Sequence, residues 1–181
     1  MTDFPPDFCP YCGAELRGKG PKHRCPDCGS GVFHSPAVAA AVAVVDRSGE
    51  EPRVLLGERG VAPAAGRFST PGGHVDFGED PRTAAARELE EETGLNVDPD
   101  DLRLLEARDL ETVVPEPGLT DEKQVICVDF AVSLDDADGE PTAGDDLADL
   151  RWEIEESFDG VDWAYTDDTA VCRAAIDAVE K

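Results

Sequence analysis

Apolar and polar positions divide the chain into segments of different period. Ala37 to Val45 is apolar throughout and is introduced by Ser35-Pro36, which predicts a buried strand. Asp46 to Glu50 reads as a turn, and Arg53 to Glu58 as a second strand carrying Leu55 and Leu56. Val61 to Gly66, rich in Ala, Gly and Pro, is a loop. Arg67 to Thr70 then leads into Pro71-Gly72-Gly73, where the glycines let the backbone itself approach a ligand. From Asp80 the pattern becomes helical. Asp80 suits the N-cap, Pro81 the first turn and Gly94 the stop, so the helix spans about 13 residues. Ala85, Ala86 and Leu89 give it a narrow apolar strip to bury.

Beyond that helix, Asp101 to Leu110 predicts a strand whose solvent face carries Arg103, Glu106 and Arg108. Glu111 to Lys123 is interrupted by Pro115, Pro117 and Gly118 and reads as a loop long enough to be functional. Gln124 to Ser133 is a strand, Asp135 to Asp149 an acidic surface turn, and Leu150 to Ile154 a strand with Trp152 in it. Thr166-Asp167 is expected to cap an amphipathic helix that runs to Val179. No internal repeat is present. Periodicity alone defines a mixed α and β chain.

Charge changes the picture of the first helix. Glu88, Glu91 and Glu92 stand at i, i+3 and i+4, within roughly a 100° arc of one face, while Glu90 points away. Like charges so placed repel, so a positive partner is expected among them, and a hard oxygen-seeking divalent cation suits. A solvated acidic face is the alternative. The wider spacing argues for the cation. Gly73, five residues, Glu79, seven residues, Arg87-Glu88-Leu89, one residue, Glu91-Glu92, one residue and Gly94-Leu95 match every fixed position of the Nudix box, and the chain resembles a Nudix hydrolase.

The resemblance implies an α/β fold, the α/β/α sandwich with a mixed sheet. It implies hydrolysis of a nucleoside diphosphate linked to another moiety, with Mg2+ or Mn2+ at the box. Carried over, Glu88, Glu91 and Glu92 are metal ligands joined by the Gly72 carbonyl, Arg87 orients the glutamates, and Glu79 either supports the ligands from behind or reaches the metal through a water. For Arg87 the plainer alternative is a surface pair with Glu91. The general base of several Nudix branches lies outside the box, and the loop before Gln124 offers Glu116, Asp121 and Glu122. Glu122 is our choice, against a merely solvated carboxylate. His74 is expected to be a turn residue near the phosphate and not the base.

Four of the six cysteines are paired by spacing, as Cys9-Pro-Tyr-Cys12-Gly and Cys25-Pro-Asp-Cys28-Gly, with twelve residues between the pairs. Glycine after each pair permits the tight turn that aims two thiolates at one ion, so the segment resembles a zinc ribbon with structural Zn2+. An iron site or a redox-active pair would use similar spacing, but the first needs a longer loop and more aromatic core, the second a βαβ context. Cys127 and Cys172 read as core thiols. The expected domains are a ribbon at 1–33 and a Nudix domain at 34–181.

Composition bears on habitat more than on partners. The formal charge is -25, from 41 Asp and Glu against 16 Lys and Arg, and the only lysines are Lys19, Lys22, Lys123 and Lys181. In molar salt the Debye length falls to about 3 Å, which screens such self-repulsion, so the balance points to a salt-rich, halophilic cytoplasm. No secretion signal or membrane span is visible at the N-terminus, and general nucleic-acid binding does not fit the charge. A homodimer is compatible with the layout. Residues 1 to 34 depart from the acidic rule, setting Arg17, Lys19, Lys22 and Arg24 against Asp3, Asp7, Glu15 and Asp27. Those cations either offset a zinc tetrathiolate or contact phosphate, at the substrate's far end or an RNA terminus.

The ribbon followed by Ser35-Pro36-Ala37-Val38 is similar to the NADH pyrophosphatase branch. The Ser-Gln-Pro-Trp-Pro-Phe-Pro array of that branch is absent. So are the proline of many ADP-ribose hydrolases, where Leu110 and Glu111 stand, and the tyrosine of dinucleoside polyphosphate hydrolases. ADP-ribose, NADH or a similar compound is the favoured substrate and a nucleoside triphosphate the second. A ribbon binding module that uses the Nudix fold as a ligand sensor is a third reading.

Overall fold

The computed structural model describes residues 6–17, 20–111 and 124–179. Contacts divide the chain into a small unit ending at Ala37, which also takes in Gln124, and a large unit from Val38 onward.

In the small unit the two cysteine pairs build matching knuckles. Cys9 N donates to Ala14 O at 2.8 Å and Cys25 N to Ser30 O at 2.9 Å, while Gly13 N and Gly29 N return to the carbonyls of Cys9 and Cys25. Both glycines are left-handed, at φ 77 and 72, which a side chain would strain. Strands β1 (Lys22–Arg24) and β2 (Gly31–Phe33) close an antiparallel hairpin. Cys9, Leu16, Cys25 and Val32 form its small buried core.

The large unit is a sheet between two helices. Its strands are β3 (Ala37–Asp46), β4 (Arg53–Arg59), β5 (Phe68–Ser69), β6 (Gly72–His74), then, after helix α1 (Pro81–Thr93), β7 (Asn96–Val97), β8 (Arg103–Asp109), β9 (Val125–Ser133), β10 (Ala137–Asp138) and β11 (Leu147–Ile154), before helix α2 (Asp168–Ala178). The main sheet runs β11-β4-β3-β9-β8, with β5 on β4 and β6 on β3. Alternation along the strands sorts the core into two layers. Val42, Val44, Leu55, Phe130 and Val132 pack with Ala84, Ala85, Ala86 and Leu89 of α1. Ala43, Val45, Val54, Leu56 and Ala131 pack with Cys172, Ala175 and Ile176 of α2. Helices on both faces of the sheet make the α/β/α arrangement with a mixed sheet expected above. Because β3 is covered on both sides, its residues had to be apolar without a break.

Helix α1 begins and ends where expected. Asp80 caps it through Arg82 N at 3.0 Å and Thr83 N at 3.3 Å, and Gly94 stops it in a left-handed conformation at φ 71.

Three expectations are corrected. Asp135 to Asp149 is not a plain surface turn: β10 pairs with β7, Thr142 N donates to Thr93 O and Gly144 N to Glu92 O, so the segment covers the last turn of α1. It supplies donors to carbonyls the helix leaves unpaired, and its strand β11 starts at Leu147 and not Leu150. Arg108 does not face solvent. Its guanidinium is 10% exposed and bridges two carboxylates, Asp129 at 2.8 Å and Asp168 at 2.7 Å, each side chain 1% exposed. Finally, Asp167 precedes α2 in a left-handed conformation at φ 66 and makes no side-chain cap bond. The anchor of that helix end is Asp168, held by Arg108.

Candidate active site

The carboxylate face of α1 is organised by one cation. Arg87 grips Glu79 with both edges of its fork, Nε to Oε1 and Nη2 to Oε2, each at 3.1 Å. Its Nη1 donates to Glu88 at 2.8 Å and Glu91 at 3.0 Å, and Nη2 also reaches the His74 carbonyl at 3.1 Å. A planar guanidinium with five donors can serve this many acceptors at once, where a lysine could not hold the geometry. The surface pair with Glu91 exists, but as one arm of this hub. The Arg87 guanidinium holds the Glu79 carboxyl below its usual range.

Glu92 takes a different course. It is 3% exposed and accepts a hydrogen bond from Gly72 N at 2.7 Å. Burial pushes its carboxyl up to about 8, with Glu88 adding repulsion and the Gly72 N–H and Arg59 opposing. Burial raises Glu88 as well, against the pull of Arg87. Glu91 stays half exposed, and Glu90 lies in solvent on the far side. The division of faces read from the spacing is what the helix displays.

Gly72 and Gly73 are needed for this approach. At Gly72, φ 156, an added Cβ would meet Ala40 O at 2.4 Å; at Gly73 it would meet the Glu88 carboxyl at 2.4 Å. Strand β6 therefore lies directly on the helix, with His74 in the strand opposite Ala39 and not in a turn. Among the described residues only the four cysteines bring three or more potential metal-ligating atoms within 4.8 Å of one another. The box carboxylates are spoken for by Arg87 and Gly72 N. They nonetheless offer hard oxygen donors of the kind magnesium takes, on one helix face beside strand β6.

Three neighbours escaped the sequence reading. Arg59, at the end of β4, acts on the Glu92 charge and stands 5.5 Å from the Tyr165 ring centre. Asp145 raises Glu88 and Asp146 raises Glu92, both from the segment that covers α1. Nothing in their local spacing marks them, since each arrives from a distant part of the chain. Glu122, chosen as the base, lies outside the described residues, as do Glu116 and Asp121.

In the small unit, Cys9 Sγ is 3.7 Å from Cys28 Sγ and Cys12 Sγ 3.5 Å from Cys25 Sγ. A tetrahedral ion with bonds of about 2.3 Å requires sulfur atoms about 3.8 Å apart, which these two spacings suit; all four sulfur atoms lie within 4.8 Å of one another and none is bonded to another. The Ser30 hydroxyl and then its N–H hold the Cys28 thiol down at about 6.

A carboxylate helix keyed by one arginine thus lies under a glycine strand within an α/β/α sandwich. The family model for the NUDIX domain matches residues 35–167. The chain belongs to the Nudix family. It is 34% identical over 94 residues to the NAD-capped RNA hydrolase NudC of Stutzerimonas stutzeri, a match over 51% of this chain and 32% of that protein. With the ADP-ribose pyrophosphatase of Methanocaldococcus jannaschii it shares 36% over 112 residues, 62% of this chain and 60% of the other. The chain thus spans less than two thirds of the curated relatives it matches. Among solved structures, the NUDIX domain of Shewanella oneidensis NrtR, complexed with ADP ribose, superposes with TM-score 0.65 at 15% identity, covering 82% of this chain and 91% of that one. A MutT NUDIX hydrolase from Burkholderia pseudomallei does so with TM-score 0.57 at 27% identity, over 81% and 100%. No helix among the described residues is long and apolar enough to cross a membrane.

Proposed function

We propose that the chain hydrolyses the diphosphate bond of a nucleoside diphosphate linked to another moiety, with ADP-ribose, NADH or a close analogue as substrate. The observation that carries this is the Arg87 hub, which holds Glu79, Glu88 and Glu91 in fixed relation beside Gly72. Glu88, Glu91, Glu92 and the Gly72 carbonyl would hold magnesium or manganese. Such an ion, when bound, neutralises diphosphate charge and lowers the pKa of an attacking water. Arg87 restrains Glu88 and Glu91 on the helix face, and Glu79 fixes Arg87 from the other side. The glycines let the β6 backbone lie against Ala40 and the Glu88 carboxyl, beside the carboxylate face. Glu122 is assigned as the base that takes the water's proton, on its place in the sequence shortly before β9.

The substrate preference is supported by the Methanocaldococcus jannaschii relative and by the ADP ribose held in the Shewanella oneidensis domain. Residues 1–33, within the small unit, are assigned as a zinc ribbon on the sulfur spacing, and residues 34–181 as the Nudix domain that follows. A salt-rich cytoplasm is proposed from the charge of -25.

Incubating the protein with magnesium in concentrated potassium chloride and ADP-ribose, NADH, FAD or nucleoside triphosphates tests the reading. Monophosphate release from ADP-ribose or NADH is expected. Release of pyrophosphate from triphosphates alone would move the assignment to a nucleoside triphosphate pyrophosphohydrolase. Tight binding without turnover in any arm would make the chain a sensor.

A further inference from the structure

The β1–β2 hairpin has a buried face and an open one. Residues directly opposed in an antiparallel ladder share a face, so His23 and Val32 point one way, and Lys22, Phe33, Arg24 and Gly31 the other. Val32 is 4% exposed and belongs to the core of the unit, whereas Phe33 is 66% exposed. A Cβ added at Gly31 would meet the Phe33 ring at 3.2 Å. Glycine there lets the ring lean along the sheet, where a larger residue would push it off. Lys22 stands directly across from the ring and Arg24 two residues further on, both exposed.

Neither strand contains an acid, in a chain with 41 acids and 16 Lys and Arg. Two more aromatic side chains of the same unit, Phe8 and Tyr11, are 62% and 71% exposed on either side of Cys9. Offsetting four thiolates would account for the cations, but not for an exposed ring on the same face. A second copy of the chain is a poor occupant, because a two-fold contact would place this cationic face against itself.

We propose that the open face of the β1–β2 hairpin binds single-stranded RNA, with a base stacked on Phe33 and neighbouring phosphates against Lys22 and Arg24. Every base has a π-face, so an aromatic platform beside two cations suits a single strand at this one face, although the acidic surface elsewhere does not. RNA supplies strands whose bases are free to splay out, whereas a duplex hides them. Stacking also survives salt that screens phosphate contacts, which suits a protein this acidic. Lys19 lies outside the described residues.

The test is fluorescence anisotropy of the full-length, zinc-loaded chain with a labelled RNA strand of about 12 nucleotides, in about 0.1 M and about 1 M potassium chloride. Phe33→Ser should weaken binding roughly tenfold at both salts. The double change Lys22→Gln and Arg24→Gln should weaken it chiefly at low salt, reducing the salt slope by about 1.4, for two phosphates. A duplex of the same sequence should bind at least about tenfold less tightly. Zinc content is measured in each variant; should Phe33→Ser lose zinc, Phe33→Leu removes the ring while keeping the apolar bulk. Absent binding by the unaltered chain, unchanged binding after loss of the ring, or equal affinity for duplex would overturn the proposal. A dimer that dissociates on Phe33→Ser would assign the ring to a second copy and overturn it equally.

Discussion

Gly73 and Glu88 occupy one another's space: a single carbon added to Gly73 would stand 2.4 Å from the Glu88 carboxyl carbon. Gly73→Ala should therefore displace the carboxylate with little effect on the core beneath. A misplacement of about 1 Å can cost on the order of 100-fold in turnover, and that loss is expected here. Steady-state kinetics with the best substrate, beside a thermal melt, checks it; unchanged kcat would separate Glu88 from the reaction.

Glu92 and Glu90 are two residues apart and differ in everything but chemistry. Glu92→Gln replaces a buried carboxyl, which accepts from Gly72 N, with a poorer metal ligand, and turnover should fall on the order of 100-fold or more, with a melting temperature no lower than before. Glu90→Gln, in solvent, should keep near-full activity. Similar losses in both would refute the assignment of faces.

The bridge from Arg108 to Asp129 and Asp168 makes a stability prediction. Arg108→Met leaves two buried carboxylates without their cation and should cost about 3–5 kcal/mol in chemical denaturation. Asp168→Asn in the same protein serves as the milder comparison.

Asp168 also predicts a pH dependence. Burial, opposed by Arg108, raises its carboxyl to about 7 from an ordinary 3.8. The folded chain thus holds this proton more tightly than the unfolded one. The stabilisation is fully present below about pH 4 and is lost as pH rises through about 7. Melting temperature should fall between those values more steeply in the unaltered chain than in Asp168→Asn. Parallel slopes in the two would show that another group is responsible.

For the small unit, Cys25→Ser should release zinc and unfold the hairpin, since four small buried side chains cannot hold it. Circular dichroism and zinc content report the change, and hydrolysis should persist at least in part. Complete loss of activity from a still-folded large unit would mean that the ribbon shapes the site.

What the chain settled by itself is what local spacing settles. Asp80, Pro81 and Gly94 bound α1 because caps act within one turn, and the i, i+3, i+4 positions of Glu88, Glu91 and Glu92 share a face through helix geometry alone. The unbroken apolar run of β3 announced a strand covered on both sides. Tertiary structure decided the rest, because it depends on which distant groups meet. Arg108 alternates along β8 like a solvent residue, yet α2 lays Asp168 over it and excludes water. The acidic run from Asp135 looks like surface, until donors at Thr142 and Gly144 find the unpaired carbonyls at the end of α1. Glu92 is indistinguishable from Glu91 in sequence, and only the approach of Gly72 buries the one and leaves the other in water.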